Sequence, residues 1–218
     1  MKDLKTITIT SALLILAAAG CSDPSSDVHR TSGAEPQQVA GSPSTEGTEY
    51  VIRAGSKVGF IGSKVTGSHD GGFNNFAGSI RVADGKIVGS PEIQIAMKSL
   101  WSDNEKLTGH LKSADFFEVE KYPVTTFTVT GVQDAGAQQT VTGNLDLHGV
   151  TKSISFPAKV QVADDAVTVA AEFAINRKDF NINYPGSPND LIRDNVVIKL
   201  DLRATPGPAR PEDQLAQQ

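Results

Sequence analysis

Cysteine is almost missing from these 218 residues: Cys21 stands alone. One cysteine excludes an intramolecular disulfide framework and any multi-cysteine zinc or iron–sulfur site. Aromatic residues are scarce at 6%, with a single Trp, so aliphatic side chains must supply most of any core. Positive charge is in deficit, with 20 Lys and Arg against 25 Asp and Glu, and this argues against a nucleic-acid surface. No apolar run reaches the ~18 residues of a permanent transmembrane helix. Gly-x-Ser-x-Gly elbows, phosphate loops, His-Glu-x-x-His and dinucleotide fingerprints are absent, and the chain reads as a non-enzyme. Its length suits one domain with tails rather than two well-built domains.

What is present begins with an export signal. Lys2 and Lys5 precede an apolar stretch from Ile7 to Ala19 that ends in small residues before Cys21. Residues 1–20 thus have the charge, length and flanks of a secretory signal peptide. Ala18-Ala19-Gly20-Cys21 resembles a bacterial lipobox, with Ala18 where Leu is usual. That resemblance implies acylation of Cys21, palmitate included, and a lipid anchor in the cell envelope. Ser22 after the cysteine, in place of Asp, favours the outer membrane, facing the periplasm. Residues 21–48, rich in Ser, Pro and Gly, read as a flexible tether. A coil of about 26 residues spans roughly 25–30 Å, enough to hold a domain clear of a membrane. Residues 205–218 read as a second disordered tail, leaving 49–204 as the folded domain.

Within that window the hydrophobic pattern has period two. Apolar residues alternate with polar ones over 93–98, 126–130, 141–148, 154–162, 167–175 and 196–203, and more loosely over 51–65 and 76–82. Turn signals at Ala83-Asp84-Gly85, Asp134-Ala135-Gly136 and Asp164-Asp165 separate the runs. About eight half-buried antiparallel strands follow, and either a barrel or a sandwich buries these positions. The inward set is Phe60, Phe76, Ile80, Ile93, Ile95 and Met97 in the first half. In the second it is Phe127, Val129, Leu145, Leu147 and Phe156, then Val169, Ala171, Phe173, Ile198 and Leu200. An eight-stranded barrel is just wide enough to be filled by side chains or to hold one slender ligand, and small aliphatic linings favour the ligand.

One segment breaks the alternation. Ser102-Asp103-Asn104-Glu105 has the form of a capping box, and Leu107 and Leu111 recur at helical spacing, which predicts a short helix over 103–113. Gly109 makes that helix marginal. With Phe116 and Phe117 behind it, the segment from Trp101 to Tyr122 is expected to cap a barrel mouth as a mobile gate, a permanent plug being the alternative. Leu107, Leu111, Phe116 and Phe117 would then touch the ligand, with His110 near its head group.

Three motifs carry a family resemblance. They are Thr66-Gly67-Ser68-His69 with Gly72-Phe73 and Phe76-Ala77-Gly78, then the run from Gly109 to Val119 with Lys121-Tyr122-Pro123, then Thr142 to Lys152. In this order they resemble the YceI-like lipid- and polyisoprenoid-binding proteins. The resemblance implies an all-β, eight-stranded, lipocalin-like antiparallel barrel enclosing an isoprenoid or fatty-acyl chain. It implies no required cofactor and no metal, with an isoprenoid, quinone or fatty-acyl lipid as the bound molecule. His69, His110 and His148 fall inside the motifs without metal-ligand spacing; a structural role (turn-fixing for His148), head-group contact and a metal site are the readings weighed, the structural one first.

The expected function is a carrier of a long-chain lipid, with the membrane as partner through Cys21, no nucleic acid, and a homodimer allowed. Two alternatives stay open: a membrane-tethered interaction module, and a quinone-bearing accessory to a redox enzyme.

Overall fold

A computed structural model of the protein describes residues 23–39, 46–210 and 213–215. The signal peptide over 1–20 and Cys21 lie outside the described residues. The first strands are β1 (His29–Thr31), β2 (Thr48–Ile52), β3 (Lys57–Ser63) and β4 (Ser68–Phe73), followed by β5 (Phe76–Ala83), β6 (Lys86–Ala96) and β7 (Leu100–Ser102). Helix α1 (Glu105–Lys112) comes next, then β8 (Val124–Asp134), β9 (Gln139–Leu147), β10 (Val150–Val162) and β11 (Val167–Asn176). A two-stranded hairpin of β12 (Gly186–Ser187) and β13 (Asp190–Leu191) precedes the last strand, β14 (Asn195–Pro206).

Eight of these strands close on themselves. Going round the ring, β14 pairs with β11, then β10, β9, β8, β6, β5 and β2, and β2 returns to β14. Every ring contact is antiparallel, as half-buried alternating strands joined by short turns require. The hairpin turns take their form from the sequence: Asp84-Gly85 and His148-Gly149 both hold positive φ at the two central positions, the primed turn that matches strand twist. Register shifts on β5 and β8, beside Ser79 and Val129, let the sheet curve into closure.

The run read as one strand over 51–65 is split. The chain turns at Arg53–Ser56, with Gly55 at φ 93°, so that β2 and β3 pair with successive parts of β14. Strand β3 carries β4 and β7, which extend the wall at one end of the barrel. That end also receives α1, because the helix lies in the connection between β6 and β8. The opposite end is closed by Tyr50, Ile52, Ile80, Val82, Val167 and Leu202, all buried. The Tyr50 hydroxyl seals it by donating to the carbonyls of Ala163 and Asp164 at 3.2 and 3.3 Å.

Two expectations about the tails are corrected. Residues 23–39, read as part of a flexible tether, lie on the barrel. Strand β1 runs parallel to β11 beside Phe173–Ile175, where β10 has left β11 after pairing only over Lys159–Val162. The Thr31 hydroxyl accepts from the Ser155 backbone, and Ala34 exchanges two backbone hydrogen bonds with Ser153. Such a segment needs little apolar surface, because its gain comes from backbone groups on strand edges that would otherwise lack partners. At the other terminus β14 continues to Pro206, and buried Asp213 pairs with the Arg53 guanidinium. That ion pair ties part of the predicted tail to the β2–β3 turn.

Candidate functional site

A cavity of about 470 Å³ occupies the α1 half of the barrel. Its walls follow the inward positions of the strands. Ile93 and Ile95 come from β6, with Met97 just beyond its end; Thr125 and Phe127 come from β8, and Leu145 and Leu147 from β9. Ile154 and Phe156 face them from β10, Phe173 and Ile175 from β11, Val196, Ile198 and Leu200 from β14, and Val58 and Phe60 from β3. The mouth is covered by Leu107, His110 and Leu111 of α1 and by Phe116 and Phe117 after it. Helix α1 is capped by the Asn104 side chain, which accepts from the Leu107 backbone at 3.0 Å, so the cap is two residues later than the capping box implied.

Five sequence-predicted lining residues are placed elsewhere. Ile80 belongs to the packed floor, and Phe76 faces a separate groove beside Arg53 and Trp101. Val129, Val169 and Ala171 keep the inward register of their strands but do not line the cavity. The reason is aromatic. Phe156 and Phe173 stack with centroids 3.9 Å apart and planes at 4°, and Phe127 packs against Phe156 at 5.7 Å. This cluster fills the barrel on the β8–β11 side and screens the positions below it. Phe127 fits because the neighbouring strand offers Gly143, where a Cβ would sit 2.5 Å from the ring. Open space therefore runs deepest along β3, β6 and β14.

The mouth is polar, and its basic side chains are paired. Lys64 pairs with Asp190 at 2.6 Å, His69 with Asp103 at 2.8 Å, His110 with Asp115 at 2.9 Å and Arg177 with Asp194 at 3.3 Å. These are the four basic side chains that line the cavity, and each meets a carboxylate. Hydrogen bonds from Lys64 and Thr66 hold the Asp190 carboxyl below its ordinary value. Burial pushes Arg177 downward against the pull of Asp194, and its guanidinium donates to the carbonyls of Ile182, Ile192 and Arg193. Arg177 thereby staples the loop that carries Tyr184 and Ile192 to the rim, a role the residue pattern did not reveal. His110 is held edge-on by Phe116 and Tyr184, at 5.0 and 4.9 Å. His148 lies away from the cavity in the β9–β10 turn, its ring against the Phe180 carbonyl and Tyr122.

One polar atom inside the cavity wall is unmatched. Thr125 is 5% exposed, and its hydroxyl has no hydrogen-bond partner among the described residues. Extending the β8 alternation back one step from Phe127 would have found it. An orphaned hydroxyl of this kind costs about 1–3 kcal/mol.

Comparison with known proteins follows this geometry. A UPF0312 protein of Pseudomonas putida is 32% identical over 165 residues, covering 69% of this chain and 85% of its own. The structure of BcnA from Burkholderia cenocepacia superposes with a TM-score of 0.63 at 25% identity, over 70% of this chain and 98% of that one. A domain from Saccharophagus degradans described as polyisoprenoid binding shares the fold, with a TM-score of 0.61 and 20% identity over 74% of this chain and all of that one. The YceI-like domain model matches residues 50–204, and the chain belongs to that family.

Proposed function

We propose that this protein is a non-catalytic carrier that holds one long-chain lipid, a polyisoprenoid, prenyl quinone or fatty-acyl chain, in the barrel cavity. The observation that carries the reading is the cavity itself: aliphatic and aromatic walls, an apolar cap of Leu107, Leu111, Phe116 and Phe117, and a mouth whose basic side chains each meet a carboxylate. Burying a methylene gains about 0.8 kcal/mol, so a five-carbon unit gains roughly 4 kcal/mol on leaving water. Two or three such units offset an association cost on the order of 10 kcal/mol. Affinity then needs no ionic contact, and selection falls to cavity shape and to the Thr125 hydroxyl. A chain leaving a bilayer gains little more, which suits exchange with a membrane rather than one-way extraction. The polyisoprenoid-binding description of the S. degradans relative supports the same ligand class.

The same proposal places the protein in the cell envelope, lipid-anchored through Cys21 and facing the periplasm from the outer membrane. Support comes from the signal-like residues 1–20 and the lipobox-like Ala18-Ala19-Gly20-Cys21.

Native mass spectrometry and organic extraction of the purified chain test the carrier reading. A co-purifying prenyl or acyl compound is the expected result. Protein recovered without any such compound from several bacterial hosts would overturn it in favour of a tethered interaction module.

A further inference from the structure

We infer that the cavity mouth rests directly on the lipid bilayer, with the rim formed by the β3–β4 turn and the β12–β13 hairpin as the contact surface. The inference rests on acylation of Cys21. Two observations point the same way.

The first is reach. Asp23 pairs with Arg193 at 3.6 Å and with Arg30 at 3.4 Å, and Ser25 beside it is 1% exposed. The chain is thus fixed to the domain from Asp23 onward, through β1 and the Ala34–Ser153 pairing. Only two residue steps separate Cys21 from that point, a span of about 7 Å at most. A tether of that length cannot hold the domain clear of the membrane. Arg193 belongs to the mouth: its backbone donates to Ser63, and its neighbour Ile192 lines the cavity. The acyl chains must therefore enter the bilayer beside the rim.

The second observation is the rim itself. The β3–β4 turn and the β12–β13 hairpin are laced into one structure by the Lys64–Asp190 ion pair, the Thr66 hydroxyl on Asp190, and the Val65 backbone donating to Leu191. At its tip Val65 is 55% exposed and Leu191 51%, and neither lines the cavity. Two aliphatic side chains side by side on a projecting edge gain free energy by entering the acyl boundary, while the ion pairs behind them remain at head-group level.

With the mouth on the bilayer, a lipid chain passes under α1 into the cavity without crossing water.

Cys21 is the only cysteine, so once it is acylated any introduced cysteine is a unique labelling site. Asn189→Cys at the hairpin tip and Asp165→Cys at the closed end, made in the full exported chain, take a bimane label. Both proteins are reconstituted in phosphatidylethanolamine–phosphatidylglycerol vesicles with or without brominated acyl chains. Bromolipid should quench the label at position 189 and spare that at 165, whereas aqueous iodide should do the reverse. Equal iodide quenching at the two positions, in protein whose N-terminal peptide mass shows acylated Cys21, overturns the docking alone. An unmodified Cys21 overturns the anchor and the docking together, while leaving the carrier reading in place. A Gly-Ser insert between Ser22 and Asp23, long enough to restore a free coil, should weaken quenching by bromolipid at position 189. Undiminished quenching would overturn short reach as the cause.

Discussion

Thr125 occupies an inward position where the neighbouring steps of β8 place Phe127 and Val129. A valine there would keep the shape and remove only the hydroxyl. A threonine there is intelligible if a bound molecule supplies the missing partner, since a buried donor left alone costs about 1–3 kcal/mol. Thr125→Val should therefore stabilise the ligand-free domain by about 1 kcal/mol, read as a higher urea midpoint with unchanged slope. The same variant should lose its preference for a lipid bearing a neutral oxygen over the matching hydrocarbon, measured by competition. A preference that survives the substitution would remove Thr125 from ligand recognition. The Asp23 carboxyl is a second residue with a readable consequence. Burial opposes its ionisation, but hydrogen bonds from the Ser25 backbone and hydroxyl, with Arg193 and Arg30 nearby, outweigh burial and hold it below the ordinary carboxylate value. A depressed folded value means that docking is fully supported above the usual carboxylate range. Support is lost as pH falls through the lowered value. Protection of the β1 amides, taken relative to intrinsic exchange at each pH, should accordingly hold through mildly acidic pH and fall only in stronger acid. In Asp23→Asn it should be lower and lack that step.

At the scale of elements, Gly109 makes the expectation of a mobile α1 cap testable. The helix contacts the cavity through Leu107, His110 and Leu111, and Gly109 lowers its intrinsic helicity by about 1 kcal/mol relative to Ala. A Cβ at Gly109 meets nothing within 4 Å, so Gly109→Ala stiffens the helix without touching the barrel. This variant should take up lipid from vesicles more slowly while reaching the same final occupancy, and its α1 amides should exchange more slowly. Unchanged uptake would make the segment a permanent plug. How much of this architecture the residues disclosed depends on the kind of force involved. Alternation placed β6, β8, β9, β10, β11 and β14 because each buries one face, a signal written locally. The leucine spacing placed α1 for the same reason. Strand β1 left no such trace, since His29–Thr31 docks through backbone pairing that any sequence can make. Ala171 was in register yet shut out of the cavity, because which rings fill a barrel depends on partners such as Phe156 and Phe173 meeting across strands. Arg177 was silent because its partners are carbonyls of a loop brought back by the fold.

For the whole molecule, the consequence of β1 is that the barrel wall is completed by the segment next to the expected anchor. Strand β10 departs from β11 beyond the Lys159–Ala170 pair, and the gap there is spanned by His29–Thr31 and Ala34. A chain beginning at Glu46 would leave the Ser153 and Ser155 backbone groups and the β11 edge over Phe173–Ile175 without these partners. Unpaired edges of this kind recruit other strands. Because the same gap borders Ile154, Phe156 and Phe173, it would also open the cavity sideways to solvent. The shortened chain should therefore pair edge to edge at high concentration, seen as a mass above the monomer by light scattering, and should release bound lipid faster. A chain beginning at Asp23 should show neither effect, since it keeps β1 but lacks the lipobox. If both chains have the same mass and the same lipid release, the segment is an ornament on a barrel already closed. If only the longer chain keeps its lipid, the anchor segment is part of the container.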